Sequence, residues 1–117
     1  MNQKNSKQYD YDLEKRTFEF ARKTRLFVKS LAKTVNNIED GKQLVRSSGS
    51  VGANYIEANE SFSRKDFFMR IKICRKEAKE SHYWLRLIET ESAEKDFLAK
   101  EAGELTNIFG AIVRNAK

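Results

Sequence analysis

The chain has 117 residues, with 23 Lys and Arg against 17 Asp and Glu, a formal charge of +6 and an isoelectric point near 9.5. That length predicts one domain, and 39% hydrophobic beside 34% charged residues gives a single core under a well-solvated surface. No apolar run approaches the roughly 18–20 residues of a spanning helix, residues Met1 to Lys15 are polar where a secretion signal is apolar, and a lone Cys74 and a lone His82 offer neither an internal disulfide nor a zinc ligand set. The expectation is a cytoplasmic protein with no membrane, metal or cofactor.

With no proline and five glycines, the backbone has few interruptions, so long helices are expected and an all-β fold is not. Residues 1–11 are expected as a flexible polar leader and 12–117 as the domain, with Asp12 as the first N-cap. Leu13, Phe20, Thr24, Phe27, Leu31, Val35 and Ile38 then keep to one helical face, and Lys15, Arg22, Lys29 and Lys33 form a basic stripe opposite. Asn36, Asn37, Asp40 and Gly41 are expected to end this helix.

Lys42 to Ser61 contains Ser47, Ser48, Gly49, Ser50 and Gly52, a linker-like composition in which each glycine costs a helix about 1 kcal/mol. Leu44, Ser48, Val51, Tyr55 and Ala58 nevertheless hold helical spacing, so the segment is predicted as a helix whose small residues admit a close neighbour. Ser63 with Asp66 makes a capping-box variant for the next start. From Lys65 to about Glu91, Phe67, Ile71, Cys74, Ala78, Ser81, Leu85 and Ile88 step by four and three without a break. On the far side of that seam lie Lys65, Lys72, Lys76, Lys79, Tyr83 and Arg86, while Ile73, Glu77 and Trp84 occupy a flank. A last helix, about Ala93 to Ala116, carries Leu98, Ala102, Leu105, Ile108 or Phe109, and Ile112.

Four amphipathic helices with short connections predict an all-α, antiparallel up-and-down four-helix bundle. Apolar residues off the core faces, Phe18, Leu26, Ile73 and Trp84, are assigned with Glu77 to contacts between subunits of an oligomer. Catalysis is not expected. His82 has no nucleophile at helical spacing and at most Glu89 or Arg75 to orient it, Cys74 falls on the core seam, and Gly49 and Gly52 lack the Lys-Ser or Lys-Thr of a phosphate loop. Asn54 and Glu57 are expected as a partly buried polar network with Arg46 or a residue of a neighbouring helix as a partner, and Glu77 and Glu80 as partners for basic residues across helices or subunits.

Charge is unevenly distributed. Residues 1–35 hold nine cations and four acids and residues 64–91 eight and five, whereas residues 36–63 are net −2 and residues 92–117 neutral. Lys and Arg near phosphates release condensed counterions, so such rows draw nucleic acid whatever its sequence. Arg22, Lys29, Lys72, Lys76, Lys79 and Arg86 are the candidates for RNA or DNA contact, against the plainer alternative of a solvated helix surface.

The stretches QLVRSSGSVGANYIEA, SRKDF and KEAKESHYWLRLI, with FEFARKTRLFVKSL before them and EAGELTNIFGAIV after, resemble the four-helix-bundle proteins named for intervening sequences in bacterial 23S rRNA genes. The resemblance spans nearly the whole chain. It implies a left-handed antiparallel bundle assembling as a ring-shaped homopentamer, with Ser47 to Ala53 as helix. A related bundle, the accessory variability determinant of diversity-generating retroelements, is a basic pentamer working with a reverse transcriptase and nucleic acid. The resemblance therefore implies nucleic acid as a partner, with a protein-interaction scaffold, for example for a reverse transcriptase, as the alternative.

Overall fold

The structure is a computed structural model that describes residues 3–115, with side chains from Asp12 onward. The described residues form four helices: α1 (Gln3–Lys29), α2 (Val35–Asn59), α3 (Arg64–Leu87) and α4 (Ala93–Arg114). A helix of 22 residues, the shortest here, is about 33 Å long at 1.5 Å per residue. Connectors of four or five residues cannot span that length, so successive helices run antiparallel. Close backbone approaches join α1 to α2, α2 to α3, α3 to α4 and α4 to α1, which leaves α1 and α3 at diagonal corners. The molecule measures 48 × 23 × 20 Å. Among the described residues no helix is long and apolar enough to cross a membrane.

The core is built from the expected faces. Leu13, Phe20 and Phe27 of α1 meet Leu44, Val51 and Tyr55 of α2, Ile71, Cys74, Ala78 and Leu85 of α3, and Leu98, Ala102, Leu105 and Phe109 of α4. Tyr55 and Phe109 close the diagonal between α2 and α4 with ring centroids 5.8 Å apart. The small-residue stretch is helical, and its composition follows from packing. A Cβ on Gly52 would lie 2.9 Å from Thr17 Oγ1, so α1 can approach α2 there only because the side chain is missing. On the other side of α2, Ser47 and Ser81 pair their buried hydroxyls at 2.8 Å.

Two expected boundaries shift. α1 begins at Gln3, so Asp12 lies inside it and does not cap it; no glycine or proline before Gly41 interrupts the helix. Met1 and Asn2 of the expected leader, and Ala116 at the other end, lie outside the described residues. α1 also stops at Lys29, well before Asn36. Thr34 adopts an extended backbone and accepts a hydrogen bond from the Asn37 amide at 3.1 Å, starting α2 at Val35. Val35 and Ile38, expected in the core, are 78% and 42% exposed in the first turn of α2, and Asn36 to Gly41 sit inside that helix.

The remaining caps are Ser63, which accepts from the Asp66 amide at 3.0 Å, and Ser92, which accepts from Lys95 at 3.1 Å. The two connectors at one end of the bundle are tied together by buried Asn37. Its Nδ2 donates to the carbonyls of Ala32 and Glu89 at 3.1 and 3.4 Å, and its Oδ1 accepts from the Glu89 amide at 3.0 Å.

Candidate nucleic-acid interface

α3 presents its core seam to one side and its cations to the other. Ile71, Cys74, Ala78, Ser81 and Leu85 are buried, and at 100° per residue this sets Lys65, Lys72, Lys76, Lys79, Tyr83 and Arg86 on the opposite surface, where all six are exposed. The three acids of α3 do not share that stripe. Asp66, Glu77 and Glu80 fall on the flank toward α2, where Arg46 takes both glutamates: its Nη1 lies 3.4 Å from Glu77, and its Nη2 bonds Glu80 closely. Trp84 Nε1 also donates to Glu80, at 3.3 Å. One arginine on α2 thus gathers the two glutamates of α3 on the flank away from the lysine row. Of that row, among the described residues, only Lys76 stays near a carboxylate, 4.0 Å from Glu77.

The candidates on α1 belong elsewhere. Arg22 is paired with Glu19 at 2.7 Å, one turn away on its own helix. That hydrogen bond holds the Glu19 carboxyl below its usual range and raises the Arg22 guanidinium. Lys29 is exposed in the last turn of α1, where the carbonyl end of a helix favours a cation. Because α1 and α3 are diagonal, Arg22 and Lys29 cannot join Lys72, Lys76, Lys79 and Arg86 on one continuous face of a subunit.

Residues assigned to subunit contacts also divide. Phe18 and Leu26 are 64% and 57% exposed on α1, and Leu26 borders an apolar groove with Phe27 and Phe97 against α4. Ile73 and Trp84 are half-buried on α3, Trp84 resting on the core. Glu77 is buried and takes the cross-helix alternative of its expected pairing, with Arg46, because the helical step turns it toward α2. Asn54 accepts from Arg70 of the neighbouring α3 at 3.0 Å, the cross-helix alternative to Arg46, whereas Glu57 is exposed.

Cys74 is fully buried, and desolvation pushes its thiol up to about 12. His82 makes no hydrogen bond to Arg75 or Glu89 within the described residues. Arg75 and Arg114 were not among the sequence candidates, yet both border a groove with Lys72 where α3 meets α4. Their spacing to Gly110 on a shared seam is legible only once α4 is docked.

The family model of 23S rRNA-intervening sequence proteins matches residues 9–111 of the chain. A crystal structure of a protein with unknown function from the S23 ribosomal protein family of Bacteroides thetaiotaomicron superposes with a TM-score of 0.78 and 30% identity, covering 90% of this chain and 97% of that one. Among curated proteins none matches. With the family's pattern running through all four helices, the chain belongs to the 23S rRNA-intervening sequence protein family.

Proposed function

We propose that this chain is a non-enzymatic, self-assembling bundle that binds RNA or other nucleic acid without base specificity through the exposed face of α3. The observation that carries this is the separation of charge on α3: eight cations and three acids, with the acids on the α2 flank and Lys65, Lys72, Lys76, Lys79 and Arg86 facing solvent. A row of ammonium and guanidinium groups, in which Lys76 alone lies near a carboxylate among the described residues, is suited along a rod to the regularly spaced charges of a phosphate backbone. Exposed Tyr83 within the row adds a ring on which an unpaired base can stack.

Assembly multiplies the effect. A closed head-to-tail ring needs two unlike patches on separate sides of each subunit, and the pair Phe18 and Leu26 on α1 lies diagonal to Ile73 and Trp84 on α3. In a homopentamer, the number the family resemblance implies, five formal charges of +6 act together. Light scattering of Trp84→Ala tests the α3 side of the contact: a lower mass than the parent is expected, and an unchanged mass with intact helix content removes Trp84 from the interface.

Binding itself is tested by fluorescence anisotropy with single-stranded RNA across a salt series. If five cations per subunit engage phosphates, the affinity falls with a log–log slope of about −3.5, at ~0.7 per contact. Absence of binding at low salt rejects nucleic acid as the partner and leaves the scaffold that recognises only proteins.

A further inference from the structure

We propose that Lys72, Arg75 and Arg114, converging over Gly110, form a seat for a single phosphate group at the α3–α4 seam. The three cations line one groove of about 420 Å³ with Gly110 and Val113, and among the described residues no carboxylate lines it. A Cβ built on Gly110 would lie 3.2 Å from Arg75 Nε and 3.3 Å from Arg114 Nη1, which bounds the separation of those two nitrogens at about 6.5 Å. Two guanidinium groups therefore meet over a glycine, with neither in an ion pair among the described residues. Three other arginines of this fold are paired with acids, Arg16 to Glu101 and Glu104, Arg22 to Glu19, and Arg46 to Glu77 and Glu80.

Arg114 alone is accounted for by its place in the last turn of α4, where carbonyl groups favour a cation. Arg75 is not, since it sits in the middle of α3. Like charges held this close are relieved by a shared anion, and a planar guanidinium presents paired N–H donors that fit phosphate oxygens. Lys72, one turn before Arg75, adds a third donor on the same side. Gly110 leaves the floor open: a methyl group there would push against both arginines.

The seat rests on α3 being a phosphate-facing surface and adds one defined position to it, reached across to α4. The shared chemistry is the phosphate group, whether from a polynucleotide backbone or as a free ion. The test is a titration of the ¹⁵N-labelled full chain with inorganic phosphate, at an ionic strength held constant with chloride, following the Gly110 and Val113 amides. A saturable shift of both is expected. Arg114→Ala and Gly110→Ala should each weaken it at least tenfold, and Gly110→Ala keeps its helix content because alanine is the better helix former.

No shift with phosphate, or shifts unchanged in both variants, overturns the seat. Parallel anisotropy with RNA separates the two proposals. Steep salt-dependent RNA binding with no response at Gly110 sinks the seat and leaves the α3 surface standing. A response at Gly110 without RNA binding at low salt supports the seat, assigns it to free phosphate and removes the polynucleotide.

Discussion

Single side chains in this bundle have opposite consequences depending on what faces them across a helix seam. Thr17 and Thr24 stand two turns apart on α1 and both are buried, but only Thr17 spends its hydroxyl, donating to the Leu13 carbonyl at 2.8 Å. Thr24 Oγ1 is buried without a hydrogen-bond partner among the described residues, and an unpaired hydroxyl in a core costs about 1–3 kcal/mol. Thr24→Val, which keeps the shape, should therefore raise the denaturant midpoint by the equivalent of about 1 kcal/mol. A fall of that size places an unseen polar partner at the site. Gly52 and Gly103 make a second contrast. Gly52→Ala sets a methyl group against Thr17, a buried β-branched residue that cannot swing aside, and should destabilise by about 1–3 kcal/mol. Gly103→Ala meets nothing within 4 Å and should gain up to about 1 kcal/mol from helix propensity. Equal effects of the two substitutions in a chemical melt contradict the close α1–α2 approach.

The helices show which signals the sequence carries and which it hides. α3 is the most legible, because its apolar positions repeat without a break and Ser63 announces its start. The glycine and serine stretch of α2 is readable as helix because Leu44, Val51 and Tyr55 keep their spacing through it. The α1–α2 break is not readable from periodicity. Leu31, Val35 and Ile38 stay in phase with the α1 face, yet Thr34 caps a new helix and turns Val35 outward. The chain reverses there because long-range bonds hold the reversal, and a single-segment pattern contains no trace of them. Asn37 supplies two of those bonds, both to Glu89 in the α3–α4 connector, and adds a local one to Ala32 in the α1–α2 connector. Asn37→Ala strands the Glu89 amide and should cost about 1–3 kcal/mol, with faster hydrogen exchange at Glu89 than in the parent. If exchange there is unchanged, the tie between connectors is not a stabilising element.

For the molecule as a whole, the up-and-down order decides which cations can act together. The sequence assigns basic rows to both α1 and α3 with equal justification. Docking separates them, since α1 and α3 occupy diagonal corners, and pairing separates them further, since Arg22 is held by Glu19 while the two glutamates of α3 are held by Arg46. Neither fact is visible in one helix at a time, and the same holds for Arg75 and Arg114, which share a groove only because α4 folds beside α3. The central claim is that the α3 row, and not net charge, binds polynucleotide. The most direct test compares two triple charge reversals that change formal charge equally: Lys72→Glu, Lys76→Glu and Lys79→Glu on α3, and Lys15→Glu, Lys29→Glu and Lys33→Glu on α1 and its connector. With both variants retaining the parent's helix content and mass, the α3 triple should abolish RNA binding at low salt, while the α1 triple should leave most of the salt slope in place. Equal losses in the two would contradict the account, because binding would then follow total charge and not the face that carries it.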